Sequence, residues 1–164
     1  MAYEQSPIGE QAVDTLEKQG FKLPPAPDVE DQPALPEDLS DLDDRMLMDE
    51  FSLFTAWADY ANAQVGLATI AEREAERELE YKTGLFWSDQ PRTKSVTMIK
   101  AEAAQEPQVV TAQDRFDRAQ AYRRMVSVVA ERYERDAMVL SRELTRRTQG
   151  EWNAKQSRRE RWAQ

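Results

Sequence analysis

Seven basic side chains, Arg142, Arg146, Arg147, Lys155, Arg158, Arg159 and Arg161, fall within twenty residues near the C-terminal end and are interleaved with Trp152 and Trp162. Arginine offers phosphate a planar fork of donors, and tryptophan offers a base a face to stack on. Together they are the pairing used in sequence-tolerant binding of single-stranded nucleic acid. The plainer reading of the same run is a solvated helix end whose arginines complement the negative end of the helix dipole. Within it, Arg142 and Arg146 stand one turn apart and share a face, while Glu143 and Arg147 share another and can pair as Glu–Arg.

Other chemistry is restricted by what the chain lacks. Its 164 residues include no histidine and no cysteine, which excludes the usual transition-metal sites, thiol nucleophiles, Ser-His-Asp triads and imidazole acid–base catalysis from a single chain. The acidic cluster Asp38, Asp41, Asp43, Asp44, Asp49 and Glu50 has neither the central glycine nor the terminal glutamate of a calcium loop. A carboxylate-bridged di-metal bundle needs a Glu-x-x-His pair that cannot be written here. With five glycines there is no phosphate-cradling loop of the GxxxxGK[ST] or GxGxxG type. The reading is a protein that is not an enzyme and takes no cofactor and no metal.

The elements that would position the Arg/Trp run follow from composition. The formal net charge of −9 conceals a gradient: residues 1–50 carry a net −11, residues 51–110 a net −3 and residues 111–164 a net +5. An acidic segment ahead of a basic one either covers the protein's own basic surface or gives each end a different partner. Deletion of residues 1–39 separates these, with tighter DNA binding expected if the segment masks the tail. Five of the eight prolines sit in residues 24–36, spaced by acidic and small residues, which predicts an acidic, Pro-rich and largely disordered arm over residues 1–39. Within it, Ile8, Ala12, Val13 and Leu16 recur at helical spacing, Gly20 is placed as a C-cap, and Phe21 can fold back on the last turn. No signal-like or membrane-spanning run is present, so a soluble, cytoplasmic protein is expected.

Beyond residue 40 the composition is that of helices, and the fold class read from it is all-α. Ser40 serves as an N-cap, with Asp41, Asp43 and Asp44 in the first turn. Leu47, Phe51, Phe54, Ala58, Ala61, Val65, Ala68, Ala75 and Leu79 then keep alternating steps of four and three, broken only by Glu72. Glycine and proline at 84 and 91 mark a connection. A short helix fits 95–105, and Pro107 opens a second long one. There Val109, Ala112, Phe116, Ala119, Val126, Ala130, Tyr133, Ala137, Leu140 and Leu144 keep the heptad, interrupted by Arg123 alone. The prediction is a long antiparallel helical hairpin over 40–149, with helices at 41–83, 95–105 and 107–149, followed by a basic tail over 150–164.

A second stripe, Leu53, Trp57, Tyr60, Gln64, Leu67 and Ala71, widens the first helix's face beyond what one neighbour covers. Burying a large side chain is worth roughly 1.5–3 kcal/mol, so self-association through wide apolar faces is expected. Phe51, Phe54, Trp57, Tyr60 and Met125 are the contact residues this predicts, and intrachain core is the competing reading for each of them.

The aromatic start Phe51-Ser52-Leu53-Phe54-Thr55-Ala56-Trp57, the charged continuation to Glu80-Tyr81-Lys82-Thr83-Gly84, and Val96-Thr97-Met98-Ile99-Lys100-Ala101-Glu102 leading through Pro107-Gln108-Val109-Val110 resemble the UvsY-type recombination mediators of tailed phages over about residues 45–147. The closing Val139-Leu140-Ser141-Arg142-Glu143-Leu144-Thr145-Arg146-Arg147 is similar to phage proteins of this helical type. The resemblance implies a small, ring-forming homo-oligomer that binds single-stranded DNA, displaces a single-strand-binding protein and loads a recombinase in the host cytoplasm. The family's basic patch near the end of its first long helix has no counterpart, because residues 72–80 hold five glutamates against Arg73 and Arg77. The competing reading is a phage structural or assembly protein, such as a scaffold or a head or neck component, built on the same helices and carried in the virion.

Overall fold

The computed structural model describes residues 6–28, 32–91 and 93–162, excepting the side chains of 151 and 153–162. The described residues are all-helical, without a strand: α1 (Pro7–Lys18), a 3-10 turn (Leu39–Asp41), α2 (Asp44–Ser88), α3 (Val96–Ala103) and α4 (Pro107–Trp162).

Local chemistry sets each end. Ser6 caps α1, its Oγ accepting from the Gly9 amide at 3.0 Å, with Pro7 at the first helical position. At the other end Gly20 takes a φ of 87°, its amide donating to the Glu17 carbonyl and the Phe21 amide to the Leu16 carbonyl, each at 3.0 Å. This is the Schellman pattern, and it needs a residue free to enter the left-handed region. α2 begins three residues later than the predicted 41. The Asp38 carboxylate takes both the amide and the hydroxyl of Ser40, at 2.8 and 2.7 Å, so Ser40 closes the 3-10 turn instead of capping the helix. Asp43 caps α2, its Oδ1 accepting from the Met46 amide at 2.8 Å.

α2 also passes the predicted stop at Gly84 and ends at Ser88, shortly before Pro91. A glycine costs a helix only about 1 kcal/mol, whereas a proline disfavours helical backbone in the residue before it. α3 is capped by the Ser95 hydroxyl, which accepts from the Met98 amide at 3.3 Å. α4 likewise runs on past the predicted end at 149, through Gly150 to Trp162.

The chain divides into two compact units. One comprises residues 1–23 and 62–128, the other residues 24–61 and 129–164. Residues 1–39 thus contribute to both. In the first unit α1, α3 and parts of α2 and α4 bury mainly small side chains: Ala68, Ala71, Ala75, Ala103, Ala112 and Ala119, with Ile99 and Val109. Contacts between α2 and α4 descend one helix as they ascend the other: Glu72 with Arg123, Glu78 with Arg115 at 2.7 Å, and Lys82 with Gln108 at 3.4 Å. The Glu72 and Arg123 side chains are both largely covered.

The second unit is built on larger groups. Leu47, Phe54, Ala58, Ala61, Ala130, Tyr133 and Leu140 are buried. The Tyr133 ring meets Phe54 edge-on at 6.2 Å between centroids and Trp57 at 5.6 Å. Its hydroxyl accepts from Gln32 Nε2 at 2.8 Å, which fixes the proline-rich segment to α4.

Candidate nucleic-acid interface

The basic run lies on α4, and its first three arginines have different environments. Arg147 is 18% exposed and makes four hydrogen bonds. Nε donates to Glu143 at 2.8 Å, Nη1 to the Leu42 carbonyl and to Asp44 at 2.8 and 2.9 Å, and Nη2 to the Leu39 carbonyl at 2.7 Å. The 3-10 turn puts those two carbonyls within reach of a single fork, which is why one guanidinium can hold both the turn and the start of α2. Arg146 forms a bidentate pair with Glu143, at 2.7 and 2.6 Å, on a side chain that is 71% exposed. Arg142 is exposed and lies against the Met138 sulfur at 3.4 Å.

One carboxylate serves two cations here. Hydrogen bonds from Arg146 first and Arg147 second lower the Glu143 pKa to about 2. The same contacts raise the arginines, Arg146 through Glu143 and Arg147 through Asp44 and then Glu143. Glu143 therefore stays ionised throughout the neutral range. Arg147 has committed four of its five donors within the chain, and Arg142 and Arg146 keep an outward surface.

Trp152 is 67% exposed on the continuing helix. Positions 152, 155, 159 and 162 follow at helical steps of three, four and three along that backbone. The side chains of Lys155, Arg158, Arg159, Arg161 and Trp162 lie outside the described residues. The structure thus brings Arg146 and Arg147 together around Glu143 and joins the run to one uninterrupted helix.

The predicted contact residues separate in the same way. Phe54 is fully buried in its own chain's core against Tyr133, whereas Phe51, Trp57 and Tyr60 are half-buried and Met125 is exposed. Among the described residues no group of three or more carboxylates is arranged to hold a metal ion. No described helix is long and apolar enough to cross a membrane.

Sequence reasoning missed the hold that Arg147 has on Leu39 and Leu42. The Glu143 to Arg147 spacing was the available signal for half of it, and the two carbonyl acceptors carry no signature in residue type. Comparison with protein-family models, with curated proteins and with solved structures finds no match.

Proposed function

We propose that this chain is a non-catalytic helical-hairpin protein that self-associates and binds single-stranded DNA through the C-terminal part of α4, acting as a recombination mediator of the tailed-phage type that assists recombinase loading. The observation that carries the reading is Trp152, a large aromatic side chain held open to solvent on the same helix as the exposed Arg142 and Arg146. An exposed tryptophan further along a helix that also carries exposed guanidiniums supplies stacking as well as phosphate contact, and neither demands a particular base. Self-association is supported by Met125, 64% exposed, and by the half-buried Phe51, Trp57 and Tyr60. Its protein partners on this reading are a recombinase and a single-strand-binding protein, met in the host cytoplasm.

Fluorescence anisotropy with a labelled single-stranded oligonucleotide, repeated across a salt series, tests it. Binding should weaken with salt, and the slope should fall by about 0.7 for each phosphate contact removed in Arg142→Ala, Arg146→Ala, Arg158→Ala and Arg159→Ala. Trp152→Ala should weaken binding by about 1–3 kcal/mol without changing that slope. Deletion of residues 1–39 removes the Leu39 carbonyl from Arg147 and should tighten binding. Absence of binding at low salt overturns the mediator reading in favour of a structural or assembly role.

A further inference from the structure

The unit of residues 1–23 and 62–128 contains a cavity of about 630 Å3, within the range of small-molecule sites. Glu10, Val13 and Glu17 line it from α1, Leu23 from the segment that follows, Leu67 from α2 and Tyr122 from α4. α1 borders this space with its acidic edge, Glu10, Asp14 and Glu17, which is open to solvent as well, and its apolar Ile8 and Leu16 are also 45% and 38% exposed. The helix is fastened at its start, where the Ser6 hydroxyl donates to Glu74 and where a Cβ on Gly9 would stand 3.8 Å from a Leu67 methyl. Asp14, also on the cavity wall, has its own cation in Lys18 at 2.5 Å. Glu10 and Glu17 have no ion pair among the described residues.

Two unpaired carboxylates therefore face one half-apolar space. They are seven residues apart on one helix, about 10.5 Å along its axis. Val13 lies between them in sequence and Leu67 forms part of the opposite wall. An inorganic cation has no use for those apolar groups, and a single ammonium cannot reach both acids. A linear aliphatic chain with an ammonium at each end satisfies both features, its methylenes on Val13, Leu23 and Leu67. We propose that this cavity binds an extended aliphatic polyamine, with Glu10 and Glu17 each taking one terminal ammonium group. Extended spermidine spans about that length. The site stands on the cavity alone and is independent of the DNA reading.

Isothermal titration calorimetry of the full chain with spermidine decides it. A single saturable site is expected, weakened about tenfold or more in Glu10→Gln/Glu17→Gln and in Leu67→Trp, which fills the cavity. Butylamine, with one ammonium, should bind at least about tenfold more weakly than spermidine. Glu76→Gln/Glu80→Gln, which neutralises two exposed carboxylates outside the cavity, should leave the affinity unchanged. Circular dichroism of each variant separates a lost site from a lost fold, and the paired glutamine variant keeps the test decisive if Leu67→Trp unfolds. No saturable binding, or an equal loss in the two paired glutamine variants, overturns the proposal, because either result means diffuse attraction to an acidic chain.

Discussion

Glu72 is hydrogen-bonded to Arg123, so the one polar residue that interrupts the seam of α2 meets the one that interrupts the seam of α4. Every other position of both heptads is apolar, and each alone could slide by a heptad against its neighbour. The charged pair distinguishes the correct register from the slipped ones, a role polar groups at seam positions serve at some cost in stability. Changing either residue alone to alanine leaves a largely covered charge unpaired and should destabilise the protein by about 1–3 kcal/mol in urea unfolding. Replacing both with leucine should restore or exceed the starting stability while making association states less uniform in analytical ultracentrifugation. A double variant as weak as the singles would sink the register argument.

Acid sensitivity should trace to Glu143. Its pKa falls from an ordinary 4.5 to about 2 in the folded chain. The unfolded chain therefore takes up this proton at a higher pH than the folded one. The stability it contributes is complete above about pH 4.5 and is lost as the pH drops towards 2. Thermal midpoints measured from pH 6 to pH 2.5 should fall more steeply in the natural chain than in Glu143→Gln, with the two curves parallel above pH 5.

Neighbouring arginines should behave differently. Arg147→Ala removes four hydrogen bonds, three of which join α4 to Leu39, Leu42 and Asp44, and should lower the thermal midpoint by several degrees. Arg147→Lys should recover little of it, because a point ammonium cannot span acceptors laid out for a fork. Arg146→Ala should barely move the midpoint yet weaken oligonucleotide binding. Equal thermal effects of Arg146→Ala and Arg147→Ala would contradict the division drawn between them.

Two glycines should respond with opposite signs. Gly84 lies inside α2 with nothing within 4 Å of where a Cβ would stand, so Gly84→Ala should stabilise by about 0.5–1 kcal/mol. Gly20 has a φ of 87°, and Gly20→Ala should cost roughly 1 kcal/mol despite the open space around it. Denaturation midpoints compared at constant m-value test both.

The seams were legible because burial repeats every three and four residues, and nearly every predicted seam position is buried or half-buried. The end of α1 was legible too, since Gly20 and Phe21 carry a local pattern that needs no tertiary partner. Helix ends were less so. Ser40 and Asp43 are both good caps, and the choice between them turns on Asp38, which captures the serine hydroxyl first. Gly84 reads as a stop, but helix-forming neighbours outweigh a penalty of about 1 kcal/mol. In the candidate interface, residue type identified the arginines but not which of them would be consumed internally. That depends on backbone carbonyls more than a hundred residues away in the chain.

Those long separations also bear on how the protein is made. Ser6 waits for Glu74, Gln32 for Tyr133, and the Leu39 turn for Arg147. During synthesis the N-terminal segment leaves the ribosome well before any of its anchors exists. Its net charge of −11 over the first fifty residues repels other copies of itself through that interval. The acidity that later supplies a capped turn and a cavity wall thus first serves as a solubility guard for an unfinished chain.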